Sequence, residues 1–228
     1  MRFCGKPGRR SLLTLIAMSV VCMGAVSAAL AHPHVWTTVR SEVVFGPDNK
    51  ITGIRHAWTF DEFYTAMAVQ GLDTDGDGVY SKEELQPLAQ VNVDSLQEFE
   101  FFTFVRYGDD GKKLPLKPPI DYSIDYDKTV LTLHFTLPLE TPIDPNGKEV
   151  VIDVFDPSYF VAFGFATEAP VKMAGTAAPG CGVEVKQPDA ETVAEAKTLT
   201  EAFFSELGPE SFIGSRFAQT AIVKCATP

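Results

Sequence analysis

Cysteine, histidine and tryptophan are scarce in this chain, numbering four, four and two in 228 residues. No Cys-x-x-Cys is present, which removes the usual basis for a thioredoxin-like redox couple. There is no Gly-x-Ser-x-Gly elbow, no His-Glu-x-x-His, no phosphate-binding Gly-Lys-Ser/Thr loop and no dinucleotide fingerprint. Basic residues are outnumbered 19 to 30, giving a net charge of −11. Such a chain repels phosphate backbones, so nucleic acid is not an expected partner. The apolar run Leu12 to Val26 is shorter than the ~20 residues that a membrane-spanning helix needs. No internal repeat or low-complexity tract is found.

That short run sits in an export signal. Arg2, Lys6, Arg9 and Arg10 form a positive n-region ahead of it, and Ala29-Leu30-Ala31 fits the small-x-small cleavage pattern. Cleavage after Ala31 by the general secretory route is therefore expected, exporting residues 32–228 without a membrane span. Losing four basic residues takes the net charge from −11 to −15. Only Cys181 and Cys225 remain, and two cysteines in an exported chain most simply form one disulfide.

Residues 32–228 are long enough for one β-rich domain. Val35 to Phe45 and Ile51 to Phe60 read as a hairpin across Gly46-Pro47-Asp48-Asn49. The period then becomes helical from Asp61 to Leu72, with Phe60, Phe63, Tyr64 and Met67 on one face. Helical spacing resumes through Leu85, Leu88, Asn92, Leu96 and Phe99. Strands are expected at Phe101–Tyr107, Tyr122–Asp125, Thr129–Leu137, Glu149–Phe155, Phe160–Phe165 and Ala218–Cys225, separated by Asp/Gly/Pro turns. Ala190–Leu207 reads as a helix stopped by Gly208-Pro209. The expected class is α+β, mainly β. Its architecture is a β-sandwich-like domain with an EF-hand-like helix–loop–helix inserted at about 61–100 and a C-terminal helix.

Asp73-Thr74-Asp75-Gly76-Asp77-Gly78-Val79-Tyr80-Ser81-Lys82-Glu83-Glu84 satisfies the twelve-residue calcium loop. Calcium requires six to eight hard oxygen donors. Asp73, Asp75 and Asp77 supply carboxylates at positions 1, 3 and 5, and Gly78 gives the sharp turn at position 6. Val79 would offer its carbonyl, Ser81 a hydroxyl or bridging water, and Glu84 both oxygens at position 12. Only one such loop is present, whereas sensor loops come in pairs. Tyr80 also stands at position 8, where paired loops place an aliphatic residue. A structural role for calcium is expected, with the ion fixing the helical insertion.

The histidines admit two readings. Cleavage would make His32 the N-terminus, so its amine, its imidazole and His34 offer up to three nitrogens for nickel, cobalt, zinc or copper. Pro33 blocks a chelate through successive amides, so other groups must join. A hairpin pairing Phe45 with Ile51 puts His34 near Asp61 and Glu62. Alternatively the terminus is simply frayed. His56 lies on an apolar face and reads as a satisfied core histidine. His134 points away from the leucine face, toward solvent or a site. Asp156-Pro157-Ser158-Tyr159 reads as a turn.

His32-Pro33-His34-Val35-Trp36, Trp58-Thr59-Phe60-Asp61-Glu62-Phe63, the loop 73–84, Asn92-Val93-Asp94-Ser95-Leu96, Leu133-His134-Phe135 and Phe155-Asp156-Pro157-Ser158-Tyr159-Phe160 occur in this order. Together they resemble domain-of-unknown-function family 1007 across nearly all of the exported chain. The resemblance implies a periplasmic protein associated with nickel/cobalt-type inner-membrane exporters and permeases, hence transition-metal handling. The leading expectation is a non-enzymatic, calcium-stabilised metal-binding accessory of a transition-metal transport system. Two alternatives remain: an exported copper-dependent oxidase joining His32 to His56 or His134, and a calcium-stabilised interaction module.

Overall fold

A strand whose inward residues are Val39, Val43 and Phe45, alternating with Arg40 and Glu42, must bury one face. β1 (Val35–Phe45) does so, antiparallel to β2 (Ile51–Phe60) with Phe45 opposite Ile51, as expected. The computed structural model describes residues 33–177, 180–196, 198, 199, 203, 206 and 212–226. The export signal and His32 lie outside the described residues. By its contacts the chain divides into Met1–Leu30 and Ala31–Pro228, and all described residues belong to the second unit.

Beyond the hairpin come α1 (Glu62–Ala68), α2 (Lys82–Leu96), β3 (Thr103–Tyr107), β4 (Lys112–Leu114), β5 (Ile120–Asp127) and β6 (Val130–Ile143). Then follow β7 (Val150–Val154), β8 (Val161–Phe165), β9 (Val171–Gly175), β10 (Cys181–Lys186), α3 (Ala190–Ala196) and β11 (Thr220–Cys225). The class is mostly β with a few helices, in two sheets. One has the order β5-β6-β2-β1-β8, with β9 also on β1; the other is β10-β11-β7-β3-β4. The free flank of β1 pairs in parallel with β8 over Val35–Val39 and with β9 over Ser41–Phe45.

The core lies between the sheets. Val39, Ile54, Trp58, Leu133 and Phe135 come from the first; Val105, Val150, Ile152, Ala221 and Val223 from the second. Leu85, Ala89, Val93 and Leu96, one stripe of α2, complete it beside β5. Cys181 and Cys225 face each other across β10 and β11 and form a disulfide, consistent with an oxidising compartment.

Two expectations need correction, the inner face of α1 and the number of strands. The apolar face read for α1 is wrong in part, since Phe63 is 72% and Met67 59% exposed. Thr65 is the buried member, because its hydroxyl accepts the amide of Leu131 in β6 at 3.1 Å and so decides which side turns inward. The helix at Ala190 is seen to Ala196; much of the remainder to Leu207 lies outside the described residues. Strands β4, β9 and β10 fall where the sequence pattern marks none.

The segment after α2 also departs from expectation. Glu100, Phe101 and Phe102 adopt φ of 52°, 57° and 46°, three consecutive left-handed residues with no glycine among them. Each such residue costs about 1–2 kcal/mol. Burying the Phe101 and Phe102 rings contributes about 2–3 kcal/mol apiece, so the two effects are of similar size. Phe102 packs against Phe163 at 5.3 Å and Trp58 at 6.5 Å, and its carbonyl accepts the amide of Phe155 at 3.0 Å.

Candidate metal centre

Four acidic side chains crowd the loop between α1 and α2, and its backbone amides are turned on them. Gly76 and Gly78, at φ +73° and +80°, allow that winding. The amide of Gly76 donates to Asp73 Oδ1 at 2.8 Å, and that of Gly78 to Asp73 Oδ2 at 3.0 Å. Asp77 accepts the amide of Val79 at 2.7 Å. Ser81 caps α2, donating its amide and hydroxyl to Glu84 Oε2 at 3.0 and 2.9 Å, while Glu84 returns its own amide to Ser81 Oγ. Thr74, which the sequence did not single out, donates its amide and hydroxyl to Glu84 Oε1 at 2.6 and 2.8 Å. Led by the backbone amides of Ser81 and Thr74, these donors hold the Glu84 carboxyl down to about 2, so it is ionised at any physiological pH.

Oxygens of Asp73, Asp75 and Glu84 come within 4.8 Å of one another. Ligands at 2.3–2.6 Å from a calcium ion can stand up to about 5 Å apart, so this trio could line one hard cation. The donor set is all oxygen, which suits calcium better than a borderline metal. Asp77 is not in the trio, and the Ser81 hydroxyl is turned to Glu84. Val79 is exposed. The loop is docked on the sheet: Tyr80 meets the Tyr126 ring of β5 edge-on at 4.7 Å. Position 8 thus finds an aromatic partner in β5 instead of a second loop; the odd Tyr80 was the signal for it.

The described histidines, His34, His56 and His134, do not converge. His34 is exposed, stacks near Phe160 at 4.6 Å and donates its amide to the Phe160 carbonyl at 2.9 Å. Asp61 lies opposite Trp36, two residues along the strand from His34, as the hairpin register implied. Its Oδ2 accepts the amide of Trp36 at 2.8 Å, and its Oδ1 caps α1 through Tyr64 at 2.9 Å, so both oxygens are engaged. Glu62 accepts the hydroxyl of Thr129 at 2.7 Å. His134 sits on the outer face with Nε2 3.2 Å from Asp125, in the cross-strand row of Arg40 and Ala57. Six residues of strand separate that row from His34, roughly 20 Å.

His56 faces the opposite way, 1% exposed between Trp58 and Phe135. Its Nδ1 is 2.9 Å from Ser41 Oγ and its Nε2 3.3 Å from Thr103 Oγ1. The Thr103 hydroxyl donates to the Phe101 carbonyl, so it accepts from Nε2–H, and Nδ1 accepts from Ser41. His56 is a satisfied core histidine, and it offers no donor to an N-terminal copper site. Asp156 is likewise structural: Oδ1 accepts the amide and hydroxyl of Ser158, and Oδ2 the amide of Val161 at 3.0 Å.

Burial pushes the His56 pKa from 6.5 to about 3. The unfolded chain therefore binds the extra proton between those values, and stability is lost as pH falls from 6.5 toward 3. At about 1.4 kcal/mol per unit, His56 should remove about 2 kcal/mol between pH 6.5 and 5. Urea unfolding at pH 7.5 and 5 checks this. His56→Gln should show a shallower pH dependence than the parent, and equal slopes would rule out a buried neutral imidazole.

Among the described residues no helix is long and apolar enough to cross a membrane. A family model described as "Protein of unknown function (DUF1007)" matches residues 17–225. The chain is 25% identical over 199 residues to an "Uncharacterized protein" of Haemophilus influenzae, covering 86% of this chain and 92% of that one. It is also 26% identical over 105 residues to the "Uncharacterized 15.5 kDa protein in trpE 3'region" of Spirochaeta aurantia, covering 46% of this chain and 73% of the other.

Proposed function

We propose that this chain, which belongs to the DUF1007 family, is a calcium-stabilised periplasmic accessory protein that handles a transition metal for an inner-membrane transport system. The observation that carries the calcium part is the meeting of Asp73, Asp75 and Glu84 oxygens within 4.8 Å, on a loop wound by two left-handed glycines. In this reading the loop and its flanking helices form an EF-hand-like unit, whose ion fixes α2 against the core. Calcium supplies charge neutralisation for the four carboxylates and does no redox work. The transition-metal part rests on His32 and His34 at a new N-terminus and on the transport association that the family resemblance implies. The disulfide supports the exported location.

Elemental analysis of natively exported protein tests both parts, with nickel, cobalt, zinc and copper titrated against it and against a version carrying one extra residue before His32. The expected result is calcium plus one transition metal, the latter lost in the extended version. Calcium alone would leave the second reading, a calcium-stabilised interaction module. That reading is favoured by apolar side chains exposed at Trp36, Phe63, Met67 and Phe160.

A further inference from the structure

The outer face of the second sheet carries side chains that the core does not use. Phe104 and Arg106 flank the core residue Val105 in β3, and Asp153 lies between Ile152 and Val154 in β7, so all three point away from the core. Phe104, Asp153 and Thr220 stand side by side across β3, β7 and β11, and Lys113 of β4 lies opposite Arg106. A cavity of about 460 Å³ opens over them, bounded also by Phe212 and Ser215. Cavities of this size hold small organic ligands. Its walls are aromatic: Phe104 stacks on Phe155 at 4.4 Å, and Phe212 meets Phe104 edge-on at 6.4 Å. Phe212 adopts φ of 50°, a left-handed conformation that phenylalanine rarely takes. The turn after it fixes that conformation. The amide and hydroxyl of Ser215 donate to the Phe212 carbonyl at 3.0 and 2.8 Å, and the Gly214 amide donates to the Pro157 carbonyl at 3.1 Å. Burial does not offset the strain, because Phe212 is 45% exposed. What the conformation achieves is a wall for the cavity, and strained residues gather at ligand clamps.

The polar groups of the cavity are sorted by sign. Both oxygens of Asp153 are engaged: Oδ1 accepts the Thr220 hydroxyl at 2.7 Å, and Oδ2 accepts Arg106 Nη2 at 2.8 Å. Lys113 is paired with Glu100 and lies over the Phe104 ring at 5.3 Å. Arg106 Nε and Nη1 have no partner among the described residues, and the side chain is 46% exposed. The cavity thus offers guanidinium donors and no unmatched carboxylate, a set that selects an anion over a cation. We propose that this cavity binds a small free carboxylate with an aromatic body, its carboxylate on Arg106 and its ring against Phe212 and Phe104. Asp153 is a positioning residue, holding the guanidinium in one plane. The site uses neither the acidic loop nor the histidines, so it stands apart from the metal reading.

Phenylacetate, phenylacetamide and phenethylamine carry the same ring with a negative, a neutral and a positive end. Titrated into the natively exported protein and followed by ligand-observed NMR, phenylacetate should bind at least about tenfold more tightly than either of the others. Phe212→Ala, at an exposed position, should weaken phenylacetate by about five- to tenfold. Arg106→Lys keeps a charge opposite Asp153 but loses the planar fork, and it should cost about tenfold. Melting temperatures taken alongside identify a variant that fails to fold, and the comparison of the three compounds on the parent protein stands without any variant. Absence of phenylacetate binding, equal binding of phenylacetamide, or unchanged binding in both folded variants overturns the site. Equally tight competition by inorganic phosphate would reduce it to a bare anion site and overturn the aromatic assignment.

Discussion

Glu84→Gln is expected to abolish the stabilisation of this protein by calcium while keeping the Ser81 cap of α2, at the cost of the Thr74 hydrogen bonds that a glutamine NH2 cannot accept. Glutamine serves at the third helical position of a capping box as glutamate does, so the Ser81 cap persists. What disappears is the ionised, two-oxygen ligand that Ser81 and Thr74 hold charged. With calcium at 100 times its dissociation constant, the parent should gain about 2.7 kcal/mol. For a domain of this size that is about 5–10 °C in melting temperature. The Glu84→Gln protein should show almost none of this gain. A calcium-induced rise of equal size in both proteins would remove Glu84 from the site.

Removing the disulfide should have a larger effect. The cysteines are separated by 44 positions in sequence, and closing a loop of that length stabilises by about 4 kcal/mol in the chain-entropy treatment. The crosslink also ties β10 to β11 next to the turn before β7, where the Gly147 amide donates to the Cys225 carbonyl at 3.3 Å. Cys181→Ala with Cys225→Ala is expected to lower the melting temperature by about 8–16 °C. A drop of under about 2 °C would mean that the unfolded chain gains little freedom when the crosslink is cut.

Much of this architecture was legible where the relevant contacts are local. The first hairpin, with Phe45 opposite Ile51, follows from alternation and one turn, and it correctly put Asp61 beside the start of β1. In loop 73–84 the spacing anticipated that Asp73, Asp75 and Glu84 lie near one another, but not that Thr74 donates to Glu84. The inner face of α1 was not, because Thr65 outweighs Phe63 and Met67 through a bond to Leu131, a residue 66 positions away. β9 and β10 escaped for the same reason: short and with no turn partner, they gain their pairing from β1 and β11. The left-handed turn at Glu100–Phe102 contradicts local preference outright, and only the packing around Trp58 explains it.

The parallel pairing on the free flank of β1 has a consequence for the order in which the molecule can be completed. β2 is available to β1 within a few residues, but its other neighbours, Val161–Phe165 and Val171–Gly175, arrive more than a hundred residues later. A chain that emerges amino end first must therefore carry its opening hairpin half-covered until nearly four-fifths of its length is out. Through that interval the backbone groups along Val35–Phe45 face an unfilled edge, where any extended segment can compete. Folding of this protein should be slow, set by closure of that edge, and most vulnerable to a chaperone or an aggregating neighbour just before β8 appears.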